Sequence, residues 1–346
     1  MNRQLSPGLL LAADGGNSKT DVAVIGADGT VLGRARGLGF RPQVVGTEAA
    51  MEVLSELRAQ ALDAAGLPRR TTADGIAAFL SGADLPHEVR ELRQAVAARG
   101  WATAQHVDND TFAVLRAGAT RPWGVAVVCG TGINCVGVAP DGRSSGFLAL
   151  GQLSGDWGGG FDLGAAALWH AARDENGRGP RTALRAAVTG HFGLDSVAEV
   201  ALALRRGHLA ELRLSELCPA VFVCCDQGDP TAAALVDRLA DEVSGMALSV
   251  LRRLDLGSHN ADRHDTDRPD AGQQEVEVVL GGSILAARHP RLLDRVTGRL
   301  ADAAPAARPV VSTAPPLLGA ALAALDLRPG TDGTRAAEAR LRAGIR

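Results

Sequence analysis

One segment near the start of the sequence combines the residue types that a polyphosphate site needs. Asp14–Thr20 reads DGGNSKT and contains Lys19, the one lysine in the chain beside 35 arginines (36 basic residues minus one). Glycines let a backbone approach an anion closely, and successive N–H groups bind anionic oxygens. The hydroxyls of Ser18 and Thr20 and the ammonium group of Lys19 add further donors. Asp14, at the end of an apolar run, is a candidate magnesium ligand. The candidate phosphate contacts are Gly15, Gly16, Asn17, Ser18, Lys19 and Thr20.

A second segment, Cys129–Asn134, has the same order of strand, glycine-rich turn and strand. Its candidate phosphate contacts are Gly130, Thr131 and Gly132. Either turn alone is better explained as a tight hairpin that needs glycine for steric reasons. Neither turn matches the common nucleotide motifs G-x-G-x-x-G and G-x-x-x-x-G-K-[ST]. Their equivalent places in two halves of the chain nevertheless favour phosphate binding, and two such turns facing each other would hold one triphosphate.

Two aspartates, Asp108 and Asp110, are candidates for a general base. Alternate side chains of a strand point the same way, so both could face one cleft. A helix is predicted to begin at Thr111, and its N-terminal dipole would keep Asp110 ionised. A capping role for Asp110 at that helix is equally compatible with the local sequence. Asp156, in a loop between glycines, is also explained by capping if the residues alone are considered.

The elements that must position these residues follow a recognisable order. In the first half we predict strands at Leu9–Ala13, Asp21–Gly26 and Val31–Ala35, a helix over Gly46–Ala65, a strand at Gly75–Ala83, a helix from Pro86 to about Arg99, a strand at 104–110 and a helix over Thr111–Ala117. Three strands followed by helix, strand, helix, strand and helix are typical of a ribonuclease-H-like domain, whereas a Rossmann domain alternates strand and helix from the start.

The second half repeats the opening pattern after Pro122. We predict a third strand near 141–150, a long helical portion from about Gly160 to Leu256 and a polar, flexible surface loop at Gly257–Glu275. A strand, the glycine turn Gly281-Gly282-Ser283 and a helix come next, and a last strand and an alanine-rich helix end the fold. The tail after Asp326 is expected to be a solvent-facing helix or to fray.

The composition excludes several classes of protein. The chain has 346 residues, long enough for two domains, and a net charge of -3, which gives no general attraction to nucleic acid or anionic membranes. Its five cysteines fit no zinc pattern, and their odd number favours a reducing, cytoplasmic setting. The N-terminus is not typical of a signal peptide, and no run approaches the roughly 20 apolar residues of a membrane helix. A homodimer stays open.

These motifs together resemble the sugar-kinase branch of the actin, Hsp70 and hexokinase superfamily, and more narrowly the N-acetylglucosamine kinases of the BadF/BadG/BcrA/BcrD ATPase family. The resemblance runs from about Leu9 to Leu325. It is carried by DGGNSKT, FLSGAD, VDNDTFAVLRAG, CGTGINC, GQLSGDWGGGFDLG, VVLGGS and LLGAALAAL. It implies an α/β fold of two ribonuclease-H-like (actin-like ATPase) domains, with mixed five-stranded sheets flanked by helices, and with ATP and sugar in the interdomain cleft. We expect one domain over 1–118, completed by a helix at about 315–326, and a second over 119–314.

The resemblance also implies roles for individual residues. Asp110 would be the catalytic base that deprotonates the 6-hydroxyl of N-acetylglucosamine or a related amino sugar, with ATP and Mg2+ as cofactors. Gly281, Gly282 and Ser283 would contact adenine and ribose, although a plain strand-to-helix turn explains them about equally well. The implied sugar-side positions are Arg41, Ser81, Gly82, Asp110, Asn134, Gly151, Gln152 and Asp156.

Two positions depart from that family pattern. Arg41-Pro42 stands where the family has a sugar-binding Asn-His pair, and Trp157 stands where an acid often follows Asp156. Arginine offers no acceptor, but it can pair with a carboxylate on the substrate. An acidic amino sugar such as N-acetylmuramic acid therefore stays open, as does glucosamine. Trp157 would change the shape of the sugar pocket.

Two other functions compete with a sugar kinase. Members of the same broad family activate 2-hydroxyacyl-CoA dehydratases or benzoyl-CoA reductases through an iron–sulfur cluster between subunits, which requires suitably placed cysteines. Here Cys129 falls within the second turn, and Cys224 and Cys225 are adjacent on a predicted helix. A sugar-sensing regulator would usually add a DNA-binding helix-turn-helix, and the sequence shows no basic recognition helix.

Overall fold

The computed structural model describes residues 8–257, 275–328 and 334–346. Apart from its two end residues, the polar loop predicted at Gly257–Glu275 lies outside the described residues. The chain divides into two units by its internal contacts. Unit 1 comprises Met1–Ala126, Pro140–Gly142 and Ser312–Arg346, and unit 2 comprises Val127–Ala139 and Arg143–Val311.

The described residues form ten strands and thirteen helices. The strands are β1 (Leu9–Gly15), β2 (Lys19–Gly26), β3 (Val31–Leu38), β4 (Ala73–Leu80), β5 (Ala102–Asn109), β6 (Gly124–Cys129), β7 (Ile133–Val138), β8 (Ser144–Gly146), β9 (Val276–Gly281) and β10 (Ala307–Val311). The helices are α1 (Pro42–Val45), α2 (Thr47–Ala64), α3 (Pro86–Arg99), α4 (Asp110–Gly118), α5 (Gly159–Glu175), α6 (Leu184–Phe192), α7 (Val197–Arg205), α8 (Cys218–Asp226), α9 (Pro230–Arg253), α10 (Ser283–Ala286), α11 (Pro290–Ala303), α12 (Pro316–Asp326) and α13 (Thr334–Gly344). Short 3-10 turns occur at Gly151–Ser154 and Glu211–Leu217.

The sheet of unit 1 has the strand order β3-β2-β1-β4-β5. β1 pairs antiparallel with β2, β2 antiparallel with β3, and β4 runs parallel to both β1 and β5. Alternate residues of β1 face opposite sides, so Leu9 and Leu11 pack in a core with α2 and α3, whereas Leu10 and Ala12 pack in a core with α4, α12 and α13. A sheet covered on both faces explains why β1 is a continuous apolar run.

The sheet of unit 2 has the order β10-β9-β6-β7-β8, which repeats that of unit 1 with β6 in the central place of β1. The two mixed five-stranded sheets and their flanking helices confirm the predicted α/β fold. The strand predicted near 141–150 is shorter than expected, because β8 holds only Ser144–Gly146. Within the described ranges, none of the helices has the length and apolar character that crossing a bilayer requires.

The C-terminal tail differs from its expectation of a solvent-facing helix. Ala337, Leu341 and Ile345 lie four residues apart on one face of α13 and the residue that follows it, and all three are buried against the core that β1 shares with α12. The buried guanidinium of Arg116 holds this arrangement from α4, since it pairs with Asp326 at 2.9 Å and with Glu338 at 2.8 Å. Helix α13 is therefore part of the packed layer of unit 1.

Candidate active site

The first glycine-rich turn joins β1 to β2 and is held by two backbone hydrogen bonds. The N–H of Gly16 donates to the carbonyl of Lys19 at 3.0 Å, and the carbonyl of Gly16 accepts from the N–H of Phe40 at 2.9 Å. Gly15 is required by packing, because a Cβ there would lie 2.7 Å from a methyl of Leu80. Asn17, Ser18 and Lys19 are exposed at the tip of this turn. The tip therefore offers an amide, a hydroxyl and an ammonium group to a ligand.

Thr20 is placed differently from the other residues of this turn. It is fully buried, and its Oγ1 has no hydrogen-bond partner among the described residues. The hydroxyl therefore lies behind the exposed tip, and its direct contact with a phosphate stays a prediction. A buried hydroxyl without a hydrogen-bond partner lowers the stability of the fold. Such unsatisfied groups are found at functional sites.

Asp14, at the end of β1, is buried beside other acids. Burial is the main cause that raises its pKa to about 7, and the nearby carboxylates of Asp110 and Asp21 add to the shift. Lys19 and Arg36 lower the pKa of Asp14 less, and both form ion pairs with Asp21 instead, at 3.8 and 2.6 Å. A carboxylate in this position fits a divalent cation, because the charge of the cation would offset the repulsion among the carboxylates of Asp14, Asp21 and Asp110.

The protein would supply only part of a metal's coordination here. Among the described residues there is no group of three His, Cys, Asp or Glu side chains that could hold a metal ion. Mg2+ commonly binds through one or two carboxylates and completes its coordination with water and substrate phosphates. Asp14 therefore fits the role of a single protein ligand to a metal–nucleotide complex, and this role stays a prediction.

Asp110 is the first residue of α4, because β5 ends at Asn109. The expectation that Asp108 and Asp110 share one face of a strand was therefore wrong. The capping role considered for Asp110 belongs to Asn109, whose side-chain oxygen accepts the N–H of Thr111 at 2.9 Å. Burial raises the pKa of Asp110 to about 6, although the N–H groups of Thr111 and of Asp110 itself lower it in part. Asp110 is thus available as a base above that pH.

Asp108 has a different environment from Asp110. Its Oδ1 accepts the N–H of Asn109 at 2.9 Å, and its charged neighbours are His106 and Arg93. The carboxylate of Asp110 instead raises the pKa of Asp14 and of Asp84. The three acids Asp14, Asp84 and Asp110 follow or end three neighbouring strands, β1, β4 and β5. The geometry therefore favours Asp110 over Asp108 as the functional acid.

Two predicted sugar-side residues of unit 1 lie close to the first turn. The N–H of Ser81 donates to the carbonyl of Gly15 at 2.7 Å, and its hydroxyl donates to the carbonyl of Phe40. Gly82, with a φ of +73°, needs to be glycine because a Cβ would lie 2.8 Å from Pro42 and Gln43 atoms. These bonds bring the ends of β1 and β4 and the residues after β3 together.

Arg41 begins the short segment between β3 and α2. It is exposed and forms no ion pair with a carboxylate among the described residues. Its neighbour Gln43 reaches the first turn, where its Nε2 donates to Asn17 Oδ1 at 3.0 Å. Arg41 thus lies between two residues, Phe40 and Gln43, that bond to the first turn, and its exposed side chain is available to an anionic ligand.

The second turn, between β6 and β7, is fixed by its own unit. The N–H groups of Gly160 and Phe161 donate to the carbonyls of Gly130 and Thr131 at 2.7 and 2.9 Å. On its other side, a Cβ on Gly282 would lie 2.4 Å from the carbonyl oxygen of Cys129, and Gly282 has a φ of +86°. Close backbone approach to the second turn explains why a glycine stands here, and contact of Gly282 with adenine or ribose stays a prediction.

A cavity of about 590 Å³ opens beside the second turn, within unit 2. Gly130, Thr131 and Ser283 line it, so three predicted nucleotide contacts share one site. Phe222 and His289 line it as well, with ring centroids 4.7 Å apart, and Nε2 of His289 lies 2.9 Å from a carboxylate oxygen of Asp226. Neither residue belongs to a recognisable motif, so the sequence reasoning missed both. The size and the largely apolar wall suit a planar organic group.

Asp156, in unit 2, is buried and accepts a hydrogen bond from the hydroxyl of Ser154. Its N–H donates to the carbonyl of Gly151 at 3.0 Å. The capping role considered for Asp156 is wrong for α5, because Asp162 Oδ2 accepts the N–H of Gly158 at the start of that helix. Asp156 is therefore held in a loop with Gly151, as its predicted ligand-binding role requires.

The remaining positions of unit 2 are more scattered. Asn134 is half-buried in β7 and accepts the N–H of Cys135 at 2.7 Å, whereas Gln152 is exposed. The indole of Trp157 is buried, and the guanidinium of Arg238 lies 3.9 Å from its ring centroid. The described geometry thus groups the predicted residues into one set in unit 1 and another in unit 2.

The chain is similar to several known proteins. The N-acetyl-D-glucosamine kinase of Dictyostelium discoideum is 23% identical over 337 residues, covering 93% of this chain and 99% of that protein. The N-acetylmuramic acid/N-acetylglucosamine kinase of Clostridium acetobutylicum is 25% identical over 234 residues, covering 68% of this chain and 76% of that protein. The crystal structure of a candidate N-acetylglucosamine kinase from Chromobacterium violaceum has the same fold, with a TM-score of 0.67, 23% identity and coverage of 91% and 98%.

The family model of the BadF/BadG/BcrA/BcrD ATPases matches residues 13–324, which include both glycine-rich turns and α12 except its last two residues. That span also contains Asp14, Asp110 and Asp156. The chain belongs to the BadF/BadG/BcrA/BcrD ATPase family.

Proposed function

We propose that the protein is an ATP-dependent kinase that phosphorylates the 6-hydroxyl of N-acetylglucosamine or a closely related amino sugar. The observation that carries this proposal is the position of Asp110. Its carboxylate starts α4 without serving as the cap, lies close enough to Asp14 to raise the pKa of that acid, and has a pKa of about 6 itself. A base with this pKa is ionised at neutral pH and can accept a hydroxyl proton.

The chain's own groups support each part of such a reaction. Asp110 accepts the proton of the attacking hydroxyl, and the exposed Lys19 and Ser18 donate to phosphate oxygens. Asp14 would hold Mg2+, which when bound neutralises phosphate charge. The cavity beside Thr131 and Ser283 accommodates the nucleoside. Asp156, whose N–H donates to the carbonyl of Gly151, would orient sugar hydroxyls.

The acceptor sugar has a second candidate. Arg41 is exposed and forms no ion pair with a carboxylate among the described residues, so it is suited to a substrate that carries an acid group. The relative from Clostridium acetobutylicum is named for both N-acetylmuramic acid and N-acetylglucosamine. We propose the acidic amino sugar as the alternative acceptor.

Activation of a dehydratase or reductase is less well supported. All five cysteines are free and buried, and burial raises the pKa of the Cys129 thiol to about 12. Cluster ligands shared between subunits need accessible thiolates. The buried, reduced thiols also fit a cytoplasmic protein.

The proposed function is tested by a coupled assay of ADP release with MgATP. The sugars to compare are glucosamine, N-acetylglucosamine, N-acetylmannosamine, N-acetylmuramic acid and glucose. We expect ADP release to depend on an amino sugar and to fall by at least about a hundredfold in Asp110→Asn, because general bases contribute about 10²–10⁴-fold. Near-full sugar-dependent turnover in that variant would contradict the assignment of the base.

A further inference from the structure

Asp84 lies in the loop between β4 and α3, where an acid before a helix would ordinarily act as a cap. The structure gives that task to Glu88, whose Oε2 accepts the N–H groups of Asp84 at 3.1 Å and of Leu85 at 2.8 Å. The side chain of Asp84 points elsewhere. Its Oδ1 accepts a hydrogen bond from Nδ2 of Asn109 at 2.8 Å. Asp84 therefore does not cap α3.

Asn109 uses the two ends of its amide on two different elements. Its Nδ2 donates to Asp84, and its Oδ1 accepts the N–H of Thr111 at 2.9 Å, which caps α4. Asn109 is buried, with 6% of its surface exposed. An amide turned by 180° would place its NH2 group against the N–H of Thr111 and its oxygen against the carboxylate of Asp84. The bond from Asn109 to Asp84 therefore requires the same orientation of the amide in which Asn109 caps the helix.

The position of Asp110 depends on this cap. Asp110 is the first residue of α4, directly between the capping residue and the N–H that it binds. A loss of the cap would let the first turn of α4 fray, and Asp110 would move with it.

Stability of the fold does not explain the placement of Asp84, because its carboxylate lies near other acids. The pKa of Asp84 is raised to about 6 by burial, then by the charges of Asp110 and Glu88, whereas the bond from Asn109 lowers it only in part. A like charge kept close to the proposed base is a structural cost, and such costs concentrate at functional sites.

We propose that Asp84 is a positioning residue for the phosphoryl transfer: its carboxylate fixes the Asn109 side chain that caps α4 and so sets the position of Asp110. This inference rests on the proposed kinase function. In the described part of the chain, the side chain of Asp84 accepts a hydrogen bond from Asn109 and forms none with the first turn or with the predicted sugar contacts.

The test compares Asp84→Ala with Asp84→Asn in the full chain, using MgATP and N-acetylglucosamine. Alanine removes the acceptor, so we expect kcat to fall by about tenfold to a hundredfold, as for misplaced catalytic groups, while KM for ATP stays within about twofold. Asparagine has a carbonyl that can accept from Asn109, so we expect kcat within about threefold of the wild type. If Asp84 had only a structural role, Asp84→Ala would lower thermal stability without lowering kcat at nearly constant KM. Asp84→Asn would then restore no activity.

Glu88→Ala is the matched control, because it weakens the start of α3 beside Asp84 but leaves the bond to Asn109. It should lower the melting temperature and keep kcat within about twofold of the wild type. Wild-type kcat in Asp84→Ala, or a loss in Asp84→Asn as large as in Asp84→Ala, would overturn the inference.

A crystal structure of Asp84→Ala separates this inference from the proposed function. If the wild type phosphorylates none of the sugars, the proposed function fails, and the positioning role is judged by that structure. A displaced Asn109 amide would support the role. An Asn109 oxygen still within hydrogen-bond distance of the Thr111 nitrogen would overturn it.

Discussion

The side-chain oxygen of Asn109 lies 2.9 Å from the backbone nitrogen of Thr111 and caps helix α4. Because Asn109 fulfils this role, the acid that follows it is not needed as a cap. The carboxylate of the half-buried Asp110 instead lies close enough to Asp14 and Asp84 to raise the pKa of both. This arrangement is what distinguishes a proposed base from an ordinary acid at the start of a helix.

The first prediction concerns the pH dependence of turnover. Burial raises the pKa of Asp110 to about 6, and the base acts only when it is ionised. Sugar-dependent kcat at saturating MgATP, where bound metal would keep Asp14 ionised, should therefore rise with pH through about 6, with a slope of one, and level off above about 7. A pH profile in buffers of constant ionic strength checks this. A profile that is flat between pH 5 and 8 would contradict the role of Asp110.

The second prediction concerns stability and uses the same residue. The folded-state pKa of Asp110 is above its ordinary value of 3.8, so the stability that it contributes is complete below pH 3.8 and is lost as the pH rises through about 6. Asp110→Asn should therefore be more stable than the wild type at pH 8, by about 1–2 kcal/mol. Chemical denaturation at pH 8 and at pH 4.5 measures the difference, which should shrink at the lower pH. An equal difference at both values would argue against a buried, strained carboxylate.

The third prediction uses the one lysine of the chain. Reductive methylation followed by peptide mass spectrometry reports on Lys19 alone among the side-chain amines. We expect MgATP to slow the labelling of Lys19, because the ammonium group donates to phosphate oxygens. Lys19→Met should raise KM for ATP by about tenfold or more, since charged hydrogen bonds are worth about 1.5–3 kcal/mol. Lys19→Arg keeps the positive charge, so it should raise KM for ATP less than Lys19→Met does. Labelling that MgATP does not change would exclude this contact.

The fourth prediction concerns the contact between Gly282 and the second turn. A Cβ on Gly282 would lie 2.4 Å from the Cys129 oxygen, at a φ of +86°. Gly282→Ala should destabilise the protein by about 1–3 kcal/mol and raise KM for ATP, because the second turn must move. Gly245→Ala is the control, since a Cβ there meets no atom within 4 Å and the residue lies inside α9. Equal melting temperatures for the two variants would refute the packing argument.

The fifth prediction addresses the acceptor sugar. If the acidic amino sugar is a substrate, Arg41→Ala should raise its KM by about tenfold and leave the KM for N-acetylglucosamine within about twofold, because only the acid pairs with the guanidinium. Arg34→Ala, at an exposed arginine on β3, is the control for charge removal. A parallel change for both sugars would mean that Arg41 does not distinguish them.

The order of elements in unit 1 could be predicted because its signals are local. β1 is a continuous apolar run, α3 begins at Pro86, and the strands β1 to β4 are followed within two residues by glycine or a polar residue. The tail was harder, because α13 shows its apolar face only at Ala337, Leu341 and Ile345. Its ion pair from Glu338 to Arg116 spans 222 residues, which no local pattern contains.

Part of the candidate site could be predicted because its signals are also local in the sequence. The glycine-rich turns and the acids stand in compact motifs, so they could be found by residue type and spacing. The cap by Asn109 and the hydrogen bond that Asn109 donates to Asp84 could not be predicted, because they depend on which of several nearby polar side chains reaches a given N–H group. The cavity walls at Phe222 and His289 come from segments far from any motif, and packing alone brings them together.

The most direct test of the central claim identifies the oxygen that receives the phosphate. The protein is incubated with MgATP and N-acetylglucosamine at pH 8, and the product is examined by two-dimensional 31P–1H NMR. We predict a phosphomonoester coupled to the two protons on C6 with the wild type, and no product above background with Asp110→Asn. A phosphate on another oxygen, or equal yields from the two proteins, would contradict the account.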